Sequence, residues 1–164
     1  MECIKCGHQN GEGHEKCAGC GLLLASLQLT EGGQADTVYE RYLVFRNAVL
    51  NALEARWTAD DFKRFLDDES FKMAQKEQEI RQLEIPPDAL DEFREELEVG
   101  FEGIELYNKA LFHFRQYSTG GDVAFARSGL DLAWAGNEKI NEARRLNRKN
   151  RVTDAEAPAE APAS

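Results

Sequence analysis

The sequence predicts a mainly α-helical protein in which a small four-cysteine module precedes an antiparallel bundle of about four helices. Three observations lead to this prediction. All four cysteines lie within residues 3–20 of the 164-residue chain, as two C-x-x-C pairs. From about residue 37 to residue 150, apolar side chains recur at steps of three and four, the spacing of one helix face. Gly-Gly and Pro-Pro pairs separate these periodic segments, so the helices are expected to fold back on one another.

The same patterns divide the chain into four parts. They are a cysteine module at 1–24, a linker at 25–36, a helical bundle at 37–150 and a tail at 151–164. The linker, "ASLQLTEGGQAD", combines polar residues with a Gly-Gly pair. The chain ends in "DAEAPAEAPAS", which has two prolines and no large apolar side chain, so the tail is predicted to be disordered.

The cysteine spacing predicts a metal site. Two residues between paired thiols allow a tight turn that aims both sulfurs at one ion, and a glycine after each pair supplies the positive φ that such a turn often needs. Two such turns give four sulfurs, a complete tetrahedral shell for one structural Zn²⁺ ion. The ten-residue link between the pairs, "GHQNGEGHEK", contains three glycines and can fold back easily. The predicted ligands are Cys3, Cys6, Cys17 and Cys20.

The four thiols have alternative interpretations. A thioredoxin-like redox site requires a βαβ pattern that does not surround these residues, and two disulfides require an oxidising compartment. Iron in the same shell stays open, because cysteine spacing does not separate it from zinc. His8 and His14 lie in the connecting loop, where replacement of a sulfur ligand by either is the less expected arrangement. A closed shell of four cysteines indicates a structural rather than a catalytic metal, on which the fold of so small a module should depend.

These residues carry a family resemblance. Residues 1–24 resemble the short zinc-ribbon module found at the N-terminus of many bacterial and archaeal proteins, with "CIKCG", Asn10, "CAGCG" and the apolar "LLL" in the pattern of that module. The prolines common inside its cysteine turns are replaced by Ile4 and Ala18, and Lys16 stands where an apolar residue often precedes the third cysteine. The resemblance implies that the four cysteines are metal ligands in a non-catalytic module that contacts proteins or nucleic acids. It covers about a seventh of the chain.

The first two helices are predicted between the linker and a proline pair. Asp36 or Thr37 is expected to cap a helix that continues to about Arg56. Thr58 with Asp61 resembles the capping box that begins a second helix. That helix is expected to be interrupted near "DDES" and to end at Pro86-Pro87.

The last two helices show the clearest periodicity. Steps of three and four continue from Leu90 to Phe114, although Gly100 and Gly103 each cost about 1 kcal/mol relative to alanine in a helix interior. Retention of both glycines favours close approach of another helix. After "STGG", Asp122 is expected to cap a fourth helix that continues to about Arg148. Small residues dominate its apolar stripe, which would allow a neighbouring helix to pack at short distance.

Composition narrows the classes of protein. The formal net charge is −10, from 30 acidic and 20 basic residues. Such a surface on average repels phosphate backbones, which disfavours general nucleic-acid binding. No apolar run approaches the about 20 residues that span a bilayer. The chain begins Met-Glu-Cys, without the basic and apolar regions of a signal peptide, so a cytoplasmic location is expected.

Charge is unevenly distributed along the predicted helices. Between residues 88 and 105 eight acids accompany one base, and between residues 139 and 151 six bases accompany one acid. The basic segment is open to two interpretations: a solvated helix end that complements the helix dipole, or a contact surface for an acidic partner, RNA or a membrane surface. It has no interleaved aromatic side chains for base stacking. The candidate partner-binding residues are Arg144, Arg145, Arg148, Lys149 and Arg151.

No catalytic constellation occurs in the sequence. His113 is flanked by Phe112 and Phe114, a setting typical of a packed residue. Trp57 and Trp134 are expected to anchor packing, with Trp134 also a candidate to line a groove. There is no phosphate-binding glycine loop, no nucleophile elbow and no Glu-x-x-His pair of a di-metal bundle. We therefore predict no catalytic residue and no enzymatic activity.

These observations predict a zinc-binding interaction or adaptor protein in which the metal is structural. A protein partner is expected, and self-association into a homo-oligomer stays open. The alternative is a nucleic-acid-associated transcription or translation factor that uses the cysteine module and the basic end of the last helix. An enzyme regulatory subunit is a third hypothesis that the sequence does not separate from an adaptor.

Overall fold

A computed structural model of the chain contains four helices within the residues that it describes. Those residues are 2–3, 5–14, 16–22, 39–86 and 90–156, with only the backbone described for 90, 92 and 150–156. The helices are α1 Glu40–Leu53, α2 Ala59–Arg81, α3 Leu90–Gly120 and α4 Val123–Glu156. The predicted fold class is confirmed. The predicted linker at 25–36 lies outside the described residues.

Consecutive helices are antiparallel. Arg41 near the start of α1 bonds to Glu69 of α2, whereas Phe45, farther along α1, contacts Phe65, which lies earlier in α2. The same reversed order appears in the contacts Asp67–Arg115 and Arg81–Phe101 between α2 and α3, and Glu96–Asn147 between α3 and α4. The α3–α4 pair forms the most extensive helix contact, and α1 packs against both α4 and α2.

The core between the helices is rich in aromatic rings. Phe45 of α1 contacts Tyr107 and Phe114 of α3, with ring centroids 5.6 and 5.8 Å apart. The largest fully buried side chains of the bundle are Tyr42, Phe45, Phe62, Leu66, Tyr107 and Phe114. Burial of a phenylalanine side chain stabilises a fold by roughly 1.5–3 kcal/mol, so these contacts hold the short α1 helix in place.

The first helix is shorter than predicted at its described end. It stops at Leu53 rather than near Arg56, because Ala55 has a φ of 53° and turns the chain out of the helix. The Arg56 amide then donates to the Asn51 carbonyl at 2.8 Å and the Ala55 amide to the Ala52 carbonyl at 3.2 Å, the two bonds of a Schellman motif. The predicted caps Asp36 and Thr37 lie outside the described residues, and the helix begins at Glu40.

The second helix begins as predicted and is not interrupted. The Thr58 side chain and the Asp61 backbone and carboxylate form a complete capping box. The expected break near "DDES" was wrong, since the helix continues through it and the side chains of Glu69 and Ser70 have partners that fit a helix. Buried Glu69 pairs with Lys72 at 2.6 Å and the Ser70 hydroxyl donates to the Leu66 carbonyl at 2.7 Å.

The ends of α2 and α4 also differ from the prediction. The second helix stops at Arg81, before the proline pair, where exposed Leu83 donates to the Ile80 carbonyl in a tighter final turn. The fourth continues to Glu156, beyond Arg148 and into the segment predicted as tail. Between Arg148 and Pro158 the sequence contains no glycine or proline that would end the helix earlier. Helices usually end at or before the residue that precedes a proline, which agrees with an end at Glu156. Residues 157–164 lie outside the described part.

The turn between α3 and α4 has the predicted chemistry. Gly121 adopts a φ of 71°, which favours glycine, and reverses the chain after α3. The Ala124 amide donates to the Asp122 carboxylate at 2.9 Å, so the predicted N-cap of α4 is confirmed. This two-residue connection, Gly121 and Asp122, joins the two longest helices.

Glycines allow the backbones of α3 and α4 to approach closely. A methyl group at position 136 would lie 3.0 Å from the Gly103 carbonyl oxygen, and one at position 103 would lie 3.1 Å from the Gly136 carbonyl oxygen. Both distances are tighter than ordinary van der Waals contact. Gly100 is less crowded, since an added methyl group would lie 3.9 Å from the Ala143 side chain. The predicted close approach at small residues is confirmed, and Gly136 and Gly103 form its centre.

In the described part of the chain, no helix has the length and apolar character that a membrane crossing requires.

We expect Gly136→Ala to destabilise the bundle by about 1–3 kcal/mol, because the new methyl group forces two backbones apart. Gly100→Ala serves as the matched control and should raise stability by up to about 1 kcal/mol, since alanine favours the helix and no atom obstructs it. Urea denaturation followed by far-ultraviolet circular dichroism measures both free energies of unfolding. Equal effects of the two substitutions would contradict a steric role for Gly136.

Candidate metal centre

The two cysteine pairs form equivalent turns. In the first, the Cys3 amide donates to the His8 carbonyl at 2.9 Å and the Gly7 amide to the Cys3 carbonyl at 2.8 Å. The second repeats both bonds at the same sequence separations, from Cys17 to Leu22 and from Gly21 to Cys17, at 2.7 and 2.8 Å. Gly7 and Gly21 have φ values of 75° and 74°, so the glycine expected after each pair is required by the backbone.

These turns bring the four sulfurs together. All four Sγ atoms lie within 4.8 Å of one another. The Cys3 and Cys20 sulfurs are 3.6 Å apart, and the Cys6 and Cys17 sulfurs are 3.5 Å apart. Zinc–sulfur bonds of ~2.3 Å in a tetrahedron place neighbouring sulfurs about 3.8 Å apart, close to these separations. The four predicted ligands are positioned to bind one metal ion.

Hydrogen bonds stabilise a thiolate at Cys17. The Gly19 amide donates to its sulfur at 3.3 Å, and the Asn10 amide group does so at 3.6 Å. Burial acts to raise the pKa of the Cys17 thiol, but amide donors of Cys20 and Gly19 outweigh it and lower that pKa to about 6. Donors to a ligating sulfur orient it and favour the form that binds metal.

Asn10 connects the two halves of the module. It is buried, and its side-chain amide donates to the His8 carbonyl at 3.0 Å while its oxygen accepts from the Ala18 amide at 2.9 Å. Asn10 therefore has a structural role in addition to matching the zinc-ribbon pattern. One side chain ties the first turn to the second.

Neither loop histidine belongs to the cluster. The described group of possible metal ligands contains the four cysteines alone, and His8 and His14 are exposed. His8 instead packs against the second turn, where a methyl group at Gly19 would lie 3.0 Å from its Cβ and 3.3 Å from the Cys6 sulfur. The candidate metal ligands are therefore the four cysteine sulfurs, without a histidine nitrogen.

The electrostatics of the site favour a bound cation. Burial raises the pKa of the Cys3 thiol above its ordinary value. Four thiolates at these separations would repel one another, and a divalent cation at their centre relieves that repulsion. A shell of four sulfurs leaves no position for water or substrate, so the arrangement is suited to structure rather than to catalysis.

The cysteine module packs against the bundle. The hydroxyl of Tyr42, a fully buried residue of α1, donates to the Lys5 carbonyl inside the first cysteine turn. One turn farther along α1, Arg46 forms an ion pair with Glu2. A methyl group at Gly7 would lie 2.7 Å from the Arg46 guanidinium, so this glycine also admits the arginine. No sequence pattern predicts these contacts, because Tyr42 and Arg46 fit an ordinary helix face.

Lys5 makes a second contact, with α4. Its ammonium lies 3.4 Å from the Asp131 carboxylate and 5.8 Å from the centre of the Trp134 ring. Trp134 also stacks on Tyr39 and meets Tyr42 edge to face, each at a centroid distance of 5.0 Å. Trp134 is thus a packing anchor, as predicted, and it stands where module and bundle meet.

The pair between Glu2 and Arg46 makes this contact sensitive to acid. Hydrogen bonding and the charge of Arg46 lower the pKa of Glu2 below its ordinary value of 4.5. A carboxyl group whose pKa falls on folding stabilises the fold above its ordinary pKa, and that contribution disappears as the pH falls through the lowered value. The attachment of the module should therefore weaken as the pH falls through the lowered pKa of Glu2.

The basic residues predicted to bind a partner lie on two adjacent rows of α4. Arg144 and Arg148 lie one helical turn apart in one row, and Arg145 and Lys149 form the adjacent row. All four are exposed, and Arg144 also lines a cavity between the helices. The side chain of Arg151 lies outside the described residues. Their role in partner binding stays a prediction.

The two charge blocks of the sequence face each other across the antiparallel α3–α4 pair. Lys139 of α4 bonds to Glu102 of α3 at 2.9 Å, which raises the pKa of Lys139. Near the other end of the contact, Asn147 donates to Glu96 at 2.8 Å. Part of the uneven charge is thus complementary within the fold.

The remaining singled-out side chains pack as expected. His113 is half-buried beside Phe112 and Phe125, with ring centroids 5.9 and 5.7 Å away. Trp57 contacts Phe65 at 5.7 Å.

Comparisons with known proteins supply no family assignment. No protein-family model, curated protein or solved structure matches the chain. The described cysteine cluster is consistent with a module like the zinc ribbon. Membership of that family stays a prediction.

We expect Tyr42→Phe to lower the free energy of unfolding by about 1 kcal/mol in the metal-loaded protein, because it removes one hydrogen bond to the module. After chelation the module loses its fold, and the same substitution should then cost almost nothing. Tyr107→Phe is the matched control. Its hydroxyl donates to Asn137 within the bundle at 3.0 Å, so its cost should not depend on metal.

Urea denaturation of the loaded and chelated forms of each variant gives the comparison. An equal cost of Tyr42→Phe in both forms would show that the module does not depend on metal for its contact with α1.

Proposed function

We propose that the protein is a zinc-dependent interaction protein whose metal is structural. The observation that carries this proposal is the four-sulfur cluster, formed by two equivalent turns and held against the helices by Tyr42 and Arg46. Binding of a structural zinc contributes directly to the folding free energy of a small module. Through these contacts the metal would also fix the orientation of the module on the bundle.

The proposal assigns no catalytic activity to the chain. A catalytic zinc requires an open coordination position, and the four sulfurs fill the tetrahedral shell. A cluster of free thiols also fits a reducing compartment such as the cytoplasm, because oxidation to disulfides would destroy the metal site. An adaptor or a regulatory subunit is the class of protein that agrees with both features.

Exposed aromatic side chains support an interaction role. Phe71 of α2 and Phe112 of α3 are 64% and 59% exposed, unusual for rings of this size. Ser70, next to Phe71, accepts a hydrogen bond from Arg115 at 2.9 Å. Phe112 lies about one turn before Arg115 on α3, and Phe71 follows Ser70 on α2. The Arg115–Ser70 bond therefore places the two phenylalanines at a similar height along the neighbouring helices. We call these two residues the phenylalanine pair and propose that it contacts a protein partner.

The nucleic-acid alternative receives less support. The net charge is −10, and part of the basic segment is matched by acidic residues of α3. No specific observation in the described residues favours it over a protein partner. Treatment with nuclease separates the two hypotheses in the partner experiment.

The purified chain is expected to contain one zinc ion, measured by elemental analysis alongside protein concentration. Cys17→Ser should lose the ion, because a serine hydroxyl is a poor zinc ligand at neutral pH. His8→Ala with His14→Ala is the matched control and should keep it, since neither histidine belongs to the cluster. Recovery of iron, or loss of zinc from the histidine variant, would contradict the proposed site.

The phenylalanine pair can be tested by affinity capture from nuclease-treated lysate of the source cell. Phe71→Ser with Phe112→Ser should lose a protein that the native chain captures, because the apolar contact is removed. Leu83→Ser is the matched control, since Leu83 is 60% exposed but lies beyond the end of α2.

Cys17→Ser should also lose the captured protein if the metal shapes the contact. Capture of the same protein by all variants would contradict the proposed surface. Recovery only of nucleic acid, abolished by nuclease together with every associated protein, would favour the alternative function.

A further inference from the structure

A cavity of about 630 Å³ opens between the four helices. Its size is in the range of small-molecule sites, about 300–1,000 Å³. Much of its lining is apolar and comes from every helix of the bundle, with Val44 from α1, Met73 and Ile80 from α2, Ile104 and Tyr107 from α3, and Ile140 from α4. Such a lining favours a ligand with an apolar body.

The charged groups of the cavity are predominantly basic. Four of the lining residues are cationic and two are anionic, in a chain whose net charge is −10. The cationic residues are Arg41, Lys72, Lys76 and Arg144, and the anionic residues are Glu40 and Glu69. Lys76 is paired at 2.6 Å with Glu79, which lies outside the lining, so the positive excess comes from Arg41, Lys72 and Arg144 against Glu40 and Glu69. This small local excess of positive charge opposes the sign of the whole protein.

One of the two acids is already neutralised. Glu69 is 4% exposed, and it accepts from Arg41 at 3.2 Å and from Lys72 at 2.6 Å. Two cations around one buried carboxylate leave a residual positive charge at this side of the cavity. The Arg41 guanidinium also lies 3.3 Å from the Met73 sulfur, so charge and apolar lining are adjacent.

Arg144 supplies a cation on the opposite helix. It forms no ion pair with any residue that the structure describes. Arg144 and Arg41 both act electrostatically on the buried Tyr107 hydroxyl, where burial dominates and raises the pKa. That hydroxyl donates to Asn137 in the cavity wall. Arg41 of α1 and Arg144 of α4 thus both line the cavity that contains this polar pair of Tyr107 and Asn137.

A neighbouring groove shows that this charge pattern is specific to the cavity. The groove lies on the other side of Ile104, between α2 and α3, and its charged residues are Glu77, Arg81, Glu98, Glu102 and Glu105. With four acids and one base, it repels the ligands that the cavity would attract. Of these two sites, an anion would therefore bind in the cavity and be repelled from the groove.

We propose that this cavity binds a small amphipathic anion, a carboxylate or phosphate monoester on an apolar body. The apolar body would contact the isoleucine and methionine side chains, and the anionic group would bind between Arg41 and Arg144. This site is independent of the metal centre and of the phenylalanine pair, so its test does not depend on either.

The test uses the zinc-loaded full chain labelled with ¹³C at the methionine methyl groups. The chain has two methionines, so Met73 reports on the cavity and Met1 serves as an internal reference. Octanoate and octyl phosphate are titrated below their micelle concentrations, with octanol as the uncharged probe of equal chain length. We expect at least one anion to shift the Met73 signal saturably and to bind more tightly than octanol. The tighter anion identifies the preferred head group.

Arg144→Gln should weaken binding of that anion about fivefold, the effect of losing one partly exposed ion pair. Arg145→Gln is the matched control, because it makes the same change of charge one residue away and outside the cavity lining. It should leave the affinity unchanged, and both variants should keep the native circular dichroism spectrum.

Three results would overturn the proposal. They are the absence of a saturable Met73 shift with either anion, binding of octanol as tight as that of the anions, and equal loss of affinity in the two arginine variants.

Discussion

The close contact between the backbones of α3 and α4 is the constraint on which the rest of the structure depends. Gly103 and Gly136 each leave no space for a side chain against the other helix. Their approach aligns the two longest helices, and α1 then packs its aromatic face on both of them through Phe45 and Tyr42. Since α1 holds the cysteine module, the position of the metal centre follows from a glycine contact elsewhere in the bundle.

The contact between the cysteine module and the bundle depends on both the metal centre and the helices. A module of this size has too little apolar area to fold alone, so a bound metal ion would supply much of its folding free energy. The bundle supplies partners for groups that the module leaves unpaired, such as the Lys5 carbonyl, which Tyr42 satisfies. Glu2, Lys5 and Gly7 lie around the first cysteine turn, and each is adjacent to a bundle side chain. Metal binding should therefore be felt in α1 as well as in the module.

Charge in this protein is best described by its local arrangement. The net charge is −10, yet the acidic start of α3 and the basic end of α4 face each other in the hairpin, as in the Glu102–Lys139 pair. The side of Ile104 that faces α4 bears a cationic cavity, and the other side bears an acidic groove. Averages over the chain thus do not predict which ligands each surface attracts, because screening limits an exposed charge to about 8–10 Å.

The sequence by itself determined the helical class, the capping box at Thr58, the cap at Asp122 and the four metal ligands. These features are local: they depend on spacing within a few residues, and the backbone geometry of a cysteine turn or a helix start follows from residue type. Only the tertiary structure showed that Glu69 in the unbroken α2 is buried and also bonds to Arg41 of another helix. Packing of the module on α1 and the grouping of cations in the cavity likewise require residues distant in sequence. Side chains that serve such contacts look like any other helix residue until the helices are assembled.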